Sequence, residues 1–185
     1  MCRFLIALLV MYTSQTFAGE RGDSARDAGD KARLPMVYDA QGKAVGPLEY
    51  FAGVNGVYIA IDGEPVFVIV DHKRVGSLQY SASEYQWVAE GSPGYASTDC
   101  SGGVLVPNSG SPTPAIAVRD GVDVTVYTAV KGYSGNVHVW SLRQTDRSGV
   151  SSCSALRFDL GTLYWAAKST YPLTQNYPEP LRIAY

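Results

Sequence analysis

Two histidines, His72 and His138, are the only imidazoles in this 185-residue chain. Imidazole-based acid or base chemistry near neutral pH therefore runs through one of them. A serine hydrolase also needs a serine lifted on a sharp strand-to-helix turn of the form G-x-S-x-G, and neither histidine accompanies one. Gly132-Tyr133-Ser134-Gly135 is a tight turn by composition. His138, between Val137 and Val139, reads as the polar-face residue of an alternating strand, and His72, in Asp71-His72-Lys73-Arg74, as a solvated strand end. Metal chemistry has no better footing. H-E-x-x-H and C-x-x-C are missing, and Asp120-Gly121-Val122-Asp123 has too few oxygen ligands for a calcium loop and is explained by a turn. No G-x-x-x-x-G-K-S/T segment is present to cradle a phosphate. Thirteen acidic residues follow the N-terminal leader, and their spacing singles out no pair for glycoside hydrolysis. The sequence thus names no catalytic residue, no metal ligand and no cofactor.

Cys100 and Cys153 are a second source of chemistry. Redox pairs sit close in sequence beside a thiolate-stabilising neighbour, whereas these cysteines are 53 residues apart and fit a structural disulfide. Closing a loop of that length stabilises by roughly 4 kcal/mol in the chain-entropy model. The run Cys100-Ser-Gly-Gly-Val-Leu-Val-Pro107 is similar to the glycine-rich segment ahead of the catalytic histidine in trypsin-like proteases. The T-A-A-H-C and G-D-S-G-G segments that complete that triad are absent. Aromatic rings remain. Trp87, Tyr133 and Trp140 form the candidate ligand surface, since flat rings stack on a sugar or pack against a protein; the alternative is that such rings fill the core and edges of a β-protein.

The elements that must position these residues are short and extended. Apolar residues make up 46% of the chain and charged residues 17%, which excludes wholesale disorder. With 15 basic and 17 acidic side chains there is no basic field to hold a phosphate backbone, and nucleic acid is not an expected partner. Nineteen glycines, ten prolines and thirteen tyrosines are a strand-and-turn composition. Residues 1–18 carry Arg3, an apolar run from Phe4 to Tyr12 and small residues up to Ala18, the pattern of a signal peptide cleaved after Ala18. The run falls short of the about 20 apolar residues a bilayer span needs, so no stable membrane span is expected after cleavage. Cys2 precedes the apolar run and leaves with the signal. Residues 19–34 read as a flexible charged leader, with eight charges between Gly19 and Arg33 and nothing large and apolar there to anchor them. Its Arg21-Gly22-Asp23-Ser24 matches an integrin-type tetrapeptide through composition alone.

From residue 35 onward the pattern predicts one β-domain of about eleven short strands, with two β-subdomains split near 107–114 as the alternative. The expected architecture is all-β, a mostly antiparallel sandwich or open barrel of hairpin-linked strands stapled by one disulfide. Met36–Tyr38 and Lys43–Val45 flank a turn with Gly42 left-handed, and Gly56–Ile61 and Val66–Val70 flank Asp62-Gly63-Glu64-Pro65. Both arms of the second hairpin are nearly all apolar, which predicts cover on both faces. Further strands are expected at Leu78–Tyr80 and Tyr85–Ala89 around a Ser-Ala-Ser-Glu turn, at 115–118 and 122–130 with Val122, Val124, Val126 and Val130 on one face, and at 137–142, 156–158, 163–166 and 181–184. A disulfide across the proline-rich loop 107–114 would tie the two halves together.

Asp39-x-x-Gly42-Lys43-x-Val45-Gly46 and Tyr95-x-Ser97-x-Asp99-Cys100-x-Gly102, taken together, resemble a loose group of uncharacterised exported bacterial β-rich proteins. The resemblance covers chiefly residues 36–106 and, weakly, 159–183. It implies a bacterial, extracytoplasmic setting and brings no activity, cofactor or catalytic residue. Some members carry the β-module after stalks, and the absence here of a Gly-x-y repeat speaks against a trimeric fibre.

The expectation is an exported, non-catalytic β-module, periplasmic or secreted, that binds a protein or glycan at the cell envelope or outside the cell. An envelope hydrolase using His72 or His138 is the first alternative. The second is a small outer-membrane β-barrel, suggested by the alternation of Leu181, Ile183 and Tyr185 up to an aromatic C-terminus and opposed by ten prolines.

Overall fold

The structure is a computed structural model that describes residues 34–89, 91–109, 111–145 and 150–185. The expected signal segment, and the leader apart from Leu34, lie outside the described residues. The strands are β1 Met36–Tyr38, β2 Ala44–Pro47, β3 Glu49–Phe51, β4 Val54–Ile61, β5 Glu64–Gly76, β6 Gln79–Trp87 and β7 Gly94–Tyr95. They continue with β8 Leu105–Pro107, β9 Ala115–Asp120, β10 Asp123–Ala129, β11 Ser141–Thr145, β12 Ser151–Ala155, β13 Tyr164–Pro172 and β14 Arg182–Ala184. A 3-10 turn, Gly161–Leu163, precedes β13, and a single helical turn, α1 Leu173–Asn176, follows it. The strands pair antiparallel in three open sheets, ordered β14-β1-β2, β3-β4-β5-β6 and β12-β11-β7-β8-β13-β10-β9. The expected all-β antiparallel architecture is therefore present. Among the described residues no sheet closes into the barrel that the outer-membrane alternative requires, and no helix is long and apolar enough to cross a membrane.

The core follows from period-two alternation. Val57, Ile59 and Ile61 of β4 and Val66, Val68 and Val70 of β5 turn one face inward, where they meet Trp87, Val124, Val126, Leu173 and Leu181. Each such side chain contributes about 1.5–3 kcal/mol on burial. Among the described residues no further layer covers the opposite face of this hairpin, contrary to the two-sided expectation: Phe51, Tyr58 and Phe67 cover one another there, with ring centroids 5.1 to 6.5 Å apart, and remain partly exposed. Gly56 lets Phe67 lie flat, since a Cβ would run into that ring and the Val68 carbonyl. A smaller core gathers Tyr95, Cys100, Val104, Val106, Ile116 and Ala129. The main core draws on both sides of the 107–114 loop, and residues 34–185 form one compact unit.

Several boundaries differ from expectation for identifiable reasons. β5 does not end at Asp71. It runs through His72, Lys73 and Arg74, with β6 as its partner. The Ser-Ala-Ser-Glu stretch is a bulge inside β6: His72 pairs with Tyr85 and Arg74 with Tyr80, leaving four residues opposite Lys73. Ser81 Oγ closes it by accepting from the Ser83 and Glu84 amides. Neither Val122 nor Val130 is on the buried face, Val130 lying beyond the end of β10 and 38% exposed. Asp120 pairs with Asp123, so Gly121-Val122 form the two-residue turn, and Val122 is 82% exposed. Residues 137–140 have no ladder pairing, and 156–158 follow the end of β12.

Cys100 and Cys153 are bonded, with Cα atoms 5.9 Å apart. Both belong to the seven-stranded side, where the bond fastens the turn after β7 to the exposed edge strand β12. It spans the 107–114 loop as expected, and the two halves also share the main core. Cys100, at φ +60, donates its amide to Ser141 Oγ, and that hydroxyl donates to the Ser97 carbonyl.

The first motif of the resemblance is a hairpin fastening. Asp39 is buried, its Oδ1 accepts from the Gln41 and Lys43 amides at 2.9 Å each, and Gly42 takes φ +80. Lys43 Nζ sits 4.4 Å from the centre of the Tyr177 ring and so holds the C-terminal segment. Further along that segment, Glu179 accepts two bonds from Arg119, at 2.7 and 3.2 Å, and one from the Trp87 amide at 2.7 Å.

Candidate functional site

Residues 132–140 and 156–165 run beside each other and are laced by backbone bonds. Gly135 donates to the Tyr164 carbonyl, Leu160 to Val139 and Leu156 to Trp140. Ser134 Oγ donates to the Thr162 carbonyl at 2.8 Å, and Trp165 Nε1 to the Gly132 carbonyl at 3.1 Å. Gly161 has no room for a Cβ because the Val137 backbone lies against it. This loop strip is therefore laced by hydrogen bonds along its length, with Val139 and Tyr164 turned inward and Tyr133, Phe158 and Leu163 exposed.

Asp159 is the keystone of the lacing. Its Oδ1 accepts from the amides of Val139 and Gly161, both at 2.8 Å, and its Oδ2 lies 2.6 Å from His138 Nδ1. The Val139 amide, then the His138 ring, then the Gly161 amide hold the Asp159 carboxyl down to about 2. Being ionised, this carboxylate only accepts, so His138 Nδ1 carries the proton and Nε2 faces solvent from a side chain 77% exposed. A group whose folded pKa is depressed contributes stability that is present above its unfolded value, near 4, and lost as pH falls toward about 2. Asp159→Asn is accordingly expected to flatten the fall in thermal midpoint between about pH 4 and pH 2 relative to wild type; parallel midpoint curves across that window would contradict the assignment.

The candidate surface residues part company here. Trp87 is fully buried and belongs to the core, its Nε1 donating to the Tyr177 carbonyl, so it cannot face a ligand. Tyr133 and Trp140 do lie on the strip, 92% and 36% exposed. Phe158 and Leu163, which the sequence did not single out, join them at 65% and 53%. The signal for them was Asp159-Leu160-Gly161, an Asx-turn composition that predicts a tight loop rather than a strand end. His72 is no solvated strand end: Nδ1 donates to the Ser81 carbonyl at 2.8 Å and the ring stacks on Tyr85 at 4.6 Å, which closes the bulge. Among the described residues no group of three or more His, Cys, Asp or Glu is placed to hold a metal ion.

No family model, curated protein or solved structure matches this chain.

Proposed function

We propose that this chain is an exported, non-catalytic β-module that binds a protein or glycan at the bacterial cell envelope or outside the cell, through the strip 132–140 and 156–163. The observation that carries the binding reading is the exposure of Tyr133, Phe158 and Leu163 on a loop strip laced by the bonds of Asp159, Ser134, Gly135 and Trp165. Apolar rings held in water on rigid support are the usual mark of a recognition surface, because ordering them in advance lowers the entropy cost of binding. Export is supported by the signal-like residues 1–18 and by the disulfide, which persists in oxidising compartments.

One observation favours the hydrolase alternative, the His138–Asp159 pair, in which a carboxylate orients an imidazole with its second nitrogen free in solvent. The two nearest serines in sequence both turn their hydroxyls to backbone carbonyls, Ser141 to that of Ser97 and Ser134 to that of Thr162.

Retention of the protein on isolated bacterial envelopes, split into saccharide and protein fractions, tests the reading. Wild type is expected to be retained by one fraction, and Tyr133→Ala/Phe158→Ala to be retained at least tenfold less with an unchanged thermal midpoint. Equal retention of the double variant overturns the strip as the binding surface. Hydrolysis of an envelope component that His138→Ala abolishes replaces the reading with the enzyme.

A further inference from the structure

A cleft of about 530 Å³ separates β7, β11 and the turn after β7 from the β9–β10 hairpin, and it shares no lining residue with the strip. One of its walls holds an unpaired hydroxyl. Tyr95 is 2% exposed, yet among the described residues its phenol has no hydrogen-bond partner, and its oxygen is not one of those closed off from solvent. It therefore opens into the cleft that its side chain lines. A phenol this deep ordinarily finds a partner within the chain. Burial pushes Tyr95 up from its ordinary value, so the hydroxyl stays protonated and able to donate. Arg143 lies over the same ring with its Cζ 5.7 Å from the centre. Among the described residues this partly buried cation has neither an ion pair nor a side-chain hydrogen bond.

The facing wall carries the opposite charge. Asp120 and Asp123 pair directly across the end of the β9–β10 ladder, so both carboxylates stand on the sheet face that Tyr127 occupies further along β10. Like charges set opposite each other are destabilising, and among the described residues no cation pairs with either. A metal ion would want more oxygen ligands than these two carboxylates offer, whereas an ammonium group has only three protons to place.

From these features we propose that the cleft binds a zwitterion of the amino-acid or short-peptide class, with its ammonium between Asp120 and Asp123 and its carboxylate on Arg143 and the Tyr95 hydroxyl. The flat guanidinium fork takes a carboxylate through two parallel bonds. Val104 and Val118 give the ligand's side chains an apolar wall. A cavity of about 150 Å³ accommodates benzene, so a cleft more than three times that size has room for a dipeptide. A neutral sugar would satisfy the hydroxyl and leave the guanidinium and the facing carboxylates uncompensated. The site lies apart from the strip, and its failure would leave the envelope-binding reading untouched.

The test is an NMR titration at pH 7 with alanyl-alanine, its N-acetyl form and its C-terminal amide, and with sucrose in parallel. Saturable amide shifts confined to residues 100–104, 118–127 and 143 are expected with the free dipeptide, and at least tenfold weaker binding of both blocked forms. Arg143→Gln should abolish the preference over the amide, and Asp123→Asn should reduce the preference over the N-acetyl form. Tyr95→Phe should weaken dipeptide binding several-fold without lowering the thermal midpoint, since no bond within the chain is lost. Dispersed or unsaturable shifts, equal affinity for either blocked form, unchanged preferences in the two charge variants, or shifts at these amides with sucrose in place of the dipeptide would overturn the proposal.

Discussion

Glu179→Ala is expected to lower the stability of the protein by about 2–4 kcal/mol, because it removes one partner of a partly buried ion pair and leaves the Trp87 amide without its acceptor. Three bonds converge on this carboxylate. Arg119 supplies two, and the third comes from the backbone amide of the fully buried Trp87. The guanidinium also donates to the Trp87 carbonyl at 2.7 Å, so one ion pair satisfies both polar backbone groups of the largest core residue. The arginine and glutamate side chains are 25% and 19% exposed, so the pair is partly buried. Arg119→Ala is expected to cost less, because the Trp87 amide keeps its acceptor. Glu179→Gln should fall between the two, retaining a carbonyl for that amide while losing the charge. Urea denaturation of the three variants measures the order. A loss below about 1 kcal/mol for Glu179→Ala would mean that the C-terminal segment is held by Leu181 and β14 alone.

Cys100→Ser/Cys153→Ser is expected to cost about 3–4 kcal/mol, close to the chain-entropy figure for a loop of 53 residues. The location of the bond sharpens the expectation. All five residues of β12 are exposed, and its one sheet neighbour is β11, so without the disulfide this edge has little besides ladder hydrogen bonds to hold it. Amide exchange in β11 and β12 should therefore accelerate more than in β4 and β5. A denaturation midpoint unchanged in the double variant would remove the structural role, and uniform acceleration throughout the chain would show that the bond acts on the whole fold rather than on this edge.

Local signals were the readable part of the sequence. Asp62-Gly63 and Gly42 marked their turns because left-handed backbone there excludes most other residues, and all three take positive φ. The cysteine pairing followed from an even count in a chain with a signal-like start. What escaped notice was set by tertiary partners. Trp87 looked equivalent to Trp140 in sequence, yet Glu179 and Tyr177, about ninety residues away, bury the one while the other stays on the surface. Val137 to Trp140 alternates like a strand, but the Asp159 carboxylate occupies the Val139 amide that ladder pairing would have used. The Ser81–Glu84 bulge read as a turn because the serine hydroxyl does locally what a turn would do, while β6 continues beyond it.

The strip 132–140 and 156–163 is the proposed face toward a partner, and a footprint tests it most directly. Once an envelope fraction that retains the protein has been purified to one component, hydrogen exchange of the bound and free protein locates the contact. Slowed exchange is expected to concentrate in residues 132–140 and 156–163 and to be absent when Tyr133→Ala/Phe158→Ala is mixed with the same component. Protection confined to other segments, or equal protection of the double variant, would contradict it.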